Sequence, residues 1–162
     1  ARPLHLVPAH GGVREVSRVL LDTGPLVAFL NRNDEHQRWA VEVLADIPPP
    51  LWTCDSVLSE ACFLVRELRG GPPAVLQLVE RGIVRPEFSL DSESVAVRSL
   101  LTKYAEVPMS LADACLVRMT ELDRDSKVLT LDGDFRIYRQ AVTAQRVREL
   151  FQEEAPRRKS TE

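Results

Sequence analysis

Short, continuous apolar runs alternate along this chain with longer stretches of helical periodicity. Val19-Leu20-Leu21 is a buried-strand run that stops at Asp22, and Pro25 then suits the first turn of a helix reaching about Leu30, since its fixed φ and missing N–H cost nothing there. A second helix fits Glu35 to Ala45 and is closed by Ile47-Pro48-Pro49-Pro50. Leu51 to Cys54 reads as a strand, and Ser56 to Arg69 as a third helix ended by Gly70-Gly71-Pro72. Helical periodicity returns over 73–81, 92–105 and 110–122, with a strand at Ile83-Val84. Lys127 to Leu131 is a strand ending at Asp132, followed by a short helix from Phe135 to Arg139 and a last strand within 142–150. Strands that alternate with helices predict an α/β fold, a mostly parallel sheet covered on both faces.

Residues 1–17 carry neither period and read as an extension outside the core, while 153–162 read as a charged, solvated tail. That leaves 18–152 as one domain, without internal repeats. The chain opens on Ala1 instead of an initiator methionine, as a trimmed or vector-derived start would. His5 and His10 in the extension read as exposed tail histidines, and His36 as a solvated residue at the start of the second helix.

Composition narrows the function only modestly. With 162 residues, 44% hydrophobic and 28% charged, the chain suits one globular domain. A net charge of −3 supplies no global basic field, so any nucleic-acid affinity must come from local cations and metal. Cys54, Cys62 and Cys115 lie far apart among apolar residues, which predicts buried thiols and no zinc site. No apolar stretch approaches the ~20 residues of a membrane span, and no signal-peptide core opens the chain, so the expected location is cytoplasmic.

Four carboxylates stand where they are costly. Asp22 and Asp132 each end an apolar strand, and ligands of open parallel sheets bind beyond the strands' carboxyl ends. Either residue alone would also make a good turn residue or helix N-cap. Glu60 shares a helix face with Val57, Phe63 and Leu64, an apolar stripe expected to face the core, where a carboxylate must be paired, protonated or metal-bound. Asp113 sits three residues after Ser110, the spacing of a capping box, and shares its face with Leu116 and Val117. Carboxylates brought together raise one another's pKa, and a divalent cation removes the conflict. Mg²⁺ takes oxygen ligands and pairs readily with one or two carboxylates plus phosphate, which suits phosphodiester hydrolysis. No Ser–His–Asp arrangement offers another chemistry.

The segments LLDTGPLVAFLNRNDEHQRWA, SVLSEACFLV, SLADACLVRM and VLTLDGDF resemble, in order and spacing, the PIN-domain family and especially its VapC-type toxins. The resemblance runs from about Val19 to Arg139. It implies a three-layer α/β/α fold around a mostly parallel sheet, and Mg²⁺- or Mn²⁺-dependent endoribonuclease activity. It places the family's acids on Asp22, Glu60, Asp113 and Asp132 as catalytic and metal-binding residues, with Asp134 as outer support; Asp134, directly before Phe135, competes with Asp132 for the fourth position. Thr23 and Thr130 would position waters or a carboxylate. The implied partners are an RNA substrate, a small VapB-like antitoxin and a second copy of the chain. The extension before Val19 departs from the family's usual start.

Other readings fit less well. A haloacid-dehalogenase-type phosphatase needs a second acid in Asp22-Thr23-Gly24, and a receiver domain needs an acidic pair at its first turn. A catalytically silent PIN-fold binding module, or a housekeeping PIN nuclease of RNA processing, shares the same residues. The homodimer expectation rests also on Trp39, Val43, Leu44, Val75, Leu76 and Val79, apolar at helical spacing over 35–45 and 73–81.

Overall fold

In the computed structural model, which describes residues 17–132, the chain starts with strand β1 (Val19–Leu21) and helices α1 (Thr23–Leu30) and α2 (Gln37–Asp46). Then follow β2 (Leu51–Thr53), α3 (Asp55–Leu64), α4 (Gly71–Glu80), β3 (Val84–Pro86), α5 (Leu90–Lys103), α6 (Leu111–Leu122) and β4 (Lys127–Leu129). The short helix and last strand expected after Leu131, Asp134, and both terminal segments lie outside the described residues.

The strands pair in the order β3-β2-β1-β4, and every pairing is parallel. Leu20 stands opposite Trp52 on one side and Val128 on the other, and Trp52 opposite Arg85. The chain steps from β1 to β2 to β3 in one direction and then returns past β1 to β4. Right-handed crossovers therefore put α1–α4 on one face of the sheet and α5–α6 on the other, giving the α/β/α layering expected from sequence. Wrapping on both sides is why Leu20, Leu21, Leu51, Val128 and Leu129 are all buried and the strands read as unbroken apolar runs.

The direction of winding reverses between β1 and β4. In an open parallel sheet such a switch point leaves a crevice beyond the carboxyl ends of the two strands, because their following connections part to opposite faces. Asp22 and Thr130 are the residues immediately beyond those ends. The Asp22 N–H donates to the Leu129 carbonyl at 3.1 Å, carrying the pairing of β1 and β4 one residue into the crevice.

The third helix is shorter than its periodicity predicts: α3 stops at Leu64 instead of Arg69. The cause lies in the two glycines. Gly70 adopts a left-handed φ of 72°, and Gly71 packs so closely on Val65 that a Cβ there would collide with the Val65 carbonyl. Residues 65–70 must turn to bring Gly71 into that contact, and the Gly71 N–H closes the turn on the Leu68 carbonyl at 2.9 Å. The stripe on α3 is also less buried than its period predicts. Val57 is buried as expected, but Phe63 and Leu64 are 61% and 55% exposed, so the stripe through Glu60 enters the core only at its amino end.

His36 also departs from expectation. It is buried at the amino end of α2, with Nδ1 3.6 Å from carboxylate oxygens of both Asp34 and Glu35. The turn before α2, in which the His36 N–H donates to Asp34 Oδ1 at 2.8 Å, folds the ring inward. Of the six stripe residues considered for a dimer, Trp39 and Val75 are buried, Val43, Leu44 and Val79 pack against the core, and Leu76 faces solvent. Cys54 and Cys115 are buried free thiols, as predicted, whereas Cys62 is only half-buried. Among the described residues, no helix is long and apolar enough to cross a membrane.

Candidate active site

Asp22 leaves β1 in extended conformation and caps α1, its Oδ1 accepting the Thr23 N–H at 2.7 Å. This is the N-cap role that a strand-end Asp before a helix would fill on structural grounds alone. Its second oxygen, Oδ2, accepts the Thr130 hydroxyl at 2.6 Å across the switch point. Thr130 is held in turn, since its Oγ1 accepts the Asp132 N–H at 2.9 Å. The residues at the ends of β1 and β4 thus form one hydrogen-bonded unit, with the Asp132 side chain at its exposed edge.

Glu60 reaches the crevice from the second turn of α3, where its Oε2 accepts the Thr23 hydroxyl at 3.0 Å. Thr23 therefore ties two carboxylates together: its backbone holds Asp22 and its side chain holds Glu60. Asp113 comes from the first turn of α6. The capping box expected from Ser110-Leu111-Ala112-Asp113 is present, with Asp113 Oδ2 accepting the Ser110 N–H at 2.9 Å and Ser110 Oγ accepting the Asp113 N–H at 3.1 Å. Leu116 and Val117 beside it are buried, so the face does turn inward. Asp113 Oδ1 is not used by the box, and capping leaves it available to a further partner.

The acids feel one another. Burial pushes the Asp22 carboxyl up to about 6, and the charges of Asp113 and Asp132 push the same way, while the hydrogen bonds from Thr130 and Thr23 oppose them. The Asp113 carboxyl is also raised, first by burial and further by Asp132 and Glu60, against the two Ser110 hydrogen bonds. The four acids predicted from sequence are thus gathered into one electrostatically coupled group. Their contact is looser than a finished ligand shell: among the described residues, no three Asp, Glu, His or Cys side chains are close enough to hold a metal ion by themselves.

Mg²⁺ asks for less than such a shell, because it keeps several waters and binds one or two carboxylates plus substrate phosphate. The donor set here consists of carboxylate and hydroxyl oxygens, which suits Mg²⁺ or Mn²⁺ and not a thiolate-preferring ion. The buried Asp22, raised by burial and by neighbouring anions, is a group whose charged form a bound dication would favour. These residues fit the metal implied by the resemblance.

Of the two threonines expected to position waters or a carboxylate, each donates its hydroxyl to a carboxylate, Thr23 to Glu60 and Thr130 to Asp22. What sequence reasoning missed is Phe63, placed in the core by period yet exposed one turn beyond Glu60. Only the Gly70-Gly71 pair hinted that the helix would end early. A separate cleft of about 450 Å³, lined in part by Arg18, Trp52, Phe88 and Asp123, contains none of the four acids. There the Arg18 guanidinium stacks over Trp52, 4.2 Å from the ring centroid, and lies 3.8 Å from Asp123.

Comparison with known proteins agrees with this geometry. No curated protein matches the chain. Among solved structures that match is the crystal structure of VapC20 from Mycobacterium tuberculosis, a sarcin-ricin loop cleaving toxin. It is 24% identical with a TM-score of 0.66, and the match covers 74% of this chain and 93% of that one, a likeness of fold. The family model for the PIN domain matches residues 19–140, which contain all four acids and both threonines. The chain belongs to the PIN-domain family.

Proposed function

We propose that this protein is a Mg²⁺- or Mn²⁺-dependent endoribonuclease and the toxin of a VapBC-type pair, with 18–152 as its catalytic domain between a non-core extension (1–17) and a charged tail (153–162). The observation that carries the reading is the coupling of Asp22, buried at the switch point, to Asp113 and Asp132, with Glu60 joined through Thr23. Four anions held together around a crevice are unfavourable unless a cation shares them.

Asp22, Glu60, Asp113 and Asp132 would hold the ion, directly or through its retained waters, and Asp134 would support them. When bound, such an ion lowers the pKa of water and offsets charge on phosphoryl oxygens. The chain's own part is orientation. Thr130 fixes Asp22, Thr23 fixes Glu60, and Ser110 fixes Asp113 with one oxygen free. Side chains locked in this way need little rearrangement when substrate arrives.

A VapB-like antitoxin would cover the crevice, and an Arg from it would meet the acids as a bidentate cation. Cytoplasmic location follows from an RNA substrate. Homodimerisation through α2 and α4 has narrower support, since the large apolar side chains exposed there are Val41 and Leu76. Sedimentation at micromolar concentration should give about twice 18.2 kDa; a monomer that cuts RNA at full rate removes the dimer and leaves the nuclease.

The test is a map of fragment ends in total RNA, with and without Mg²⁺, beside growth of cells expressing the chain alone. Discrete metal-dependent cuts and growth arrest are expected. Cuts without arrest, and no adjacent small gene, would favour a housekeeping PIN nuclease; RNA binding without cuts would favour a silent binding module.

A further inference from the structure

We infer that Phe63 and Arg66 form a stacking platform for a single-stranded base of the substrate, next to Glu60. The inference rests on the RNA reading above and adds to it the element that selects unpaired RNA. Among the described residues, Phe63 is the one aromatic side chain that is mostly exposed. It is not left there loosely. Arg66 Nη1 donates to the Phe63 carbonyl at 2.7 Å, and the guanidinium carbon lies 4.0 Å from the ring centroid. One face of the ring is thereby covered by a cation, and the ring still remains 61% exposed.

Position ties this pair to the acids. Phe63 follows Glu60 by three residues on α3, so their side chains are neighbours on one helix surface, about 5–6 Å apart at Cβ. Leu64, at the next position, extends the exposed apolar surface. Arg66 and Arg69 follow, both exposed, against the single carboxylate of Glu67, which lies 3.4 Å from Arg66 Nε. A chain with net charge −3 and an acidic crevice repels phosphate, and needs cations placed locally to hold RNA. Aromatic rings backed by arginine take any base through its π-face and are the usual means of holding single strands. A base stacked on Phe63 would direct its neighbouring phosphate toward Glu60. A paired base must first be unpaired and unstacked to reach the ring, so the platform favours loops over duplex.

The experiment measures binding of a short fluorescein-labelled single-stranded RNA and its duplex form to full-length protein in Mg²⁺ buffer, using an Asp22→Asn background to prevent cleavage. Adding Phe63→Ala should weaken single-strand binding about tenfold, with little effect on duplex. Phe63→Trp should restore it, and Arg66→Ala should weaken binding and reduce the salt slope by about one. In the otherwise wild-type enzyme, Phe63→Ala should raise KM about tenfold with kcat nearly unchanged. Single-strand affinity within twofold of the parent, or equal losses on both RNAs, overturns the platform. So does a Phe63→Ala chain that changes from dimer to monomer on sedimentation, because the ring is then a subunit contact. If wild-type protein cuts no RNA, the nuclease reading fails while the binding comparison still decides the platform.

Discussion

Replacing Asp22 with asparagine keeps the shape of the side chain and removes its charge from the most buried point of the acidic crevice. Asp22 is 6% exposed, and its carboxyl is pushed up from 3.8 to about 6, chiefly by burial. The unfolded chain releases this proton near 3.8 and the folded chain holds it until about 6, so between those values the folded state binds more protons. Stability contributed by the protonated form is therefore complete below 3.8, falls as pH rises through the window, and is gone above about 6. The difference corresponds to about 3 kcal/mol at neutral pH. Asparagine escapes that loss. Its carbonyl can still cap α1 through the Thr23 N–H, but its amide cannot accept the Thr130 hydroxyl as Oδ2 does, which costs about 1 kcal/mol. The net expectation is that Asp22→Asn is more stable than wild type by about 1–2 kcal/mol at pH 7.5 without metal, with the advantage gone near pH 4. Divalent cation should reverse the order, since an ion at 100 times its Kd adds about 2.7 kcal/mol to wild type and little to the variant. Urea unfolding followed by circular dichroism, at both pH values and with EDTA or Mg²⁺, measures all of these. A variant less stable than wild type by the same margin at both pH values would refute the reasoning, because Asp22 would then carry no charge penalty.

Asp113→Asn should weaken the heat of Mn²⁺ binding in calorimetry, and an unchanged isotherm would remove Asp113 from the ligand set. Thr130→Val deletes the donor to Asp22 and the acceptor of the Asp132 N–H; it should cost about 1–2 kcal/mol above pH 6 and less below, read from urea midpoints at the two pH values. Gly71→Ala places a Cβ against the Val65 carbonyl and should lower stability by roughly 2 kcal/mol or more, seen as a lower thermal midpoint without a change in metal response.

The elements most legible in the sequence were the strands enclosed between the two helical layers. Val19-Leu20-Leu21 and Lys127 to Leu129 are covered on both faces, so apolar runs alone located β1 and β4, and the acids that end them followed. Asp113 was legible for a different reason, a local cap with fixed spacing. The end of α3 was not legible, because periodicity continues through Arg69 while the terminating contact, Gly71 on Val65, is a matter of close packing. Phe63 and His36 were misplaced as well. An aromatic at a core-facing period and a histidine among acids are assigned by their neighbours in sequence; the turn before α2 folds His36 inward, while Phe63 stays helical but is exposed near the end of α3. The hydrogen bonds that join Thr23 to Glu60 and Thr130 to Asp22 span 37 and 108 residues, distances over which sequence alone carries no register.

The most direct test of the central claim is cleavage of end-labelled RNA by wild type and Asp22→Asn, purified in parallel, in Mg²⁺, in Mn²⁺ and in EDTA. The acidic crevice predicts cutting by wild type with either ion, none in EDTA, and loss of cutting in the variant although it is folded and, without metal, the more stable of the two. Cleavage that persists in EDTA, or at equal rate in Asp22→Asn, would contradict it.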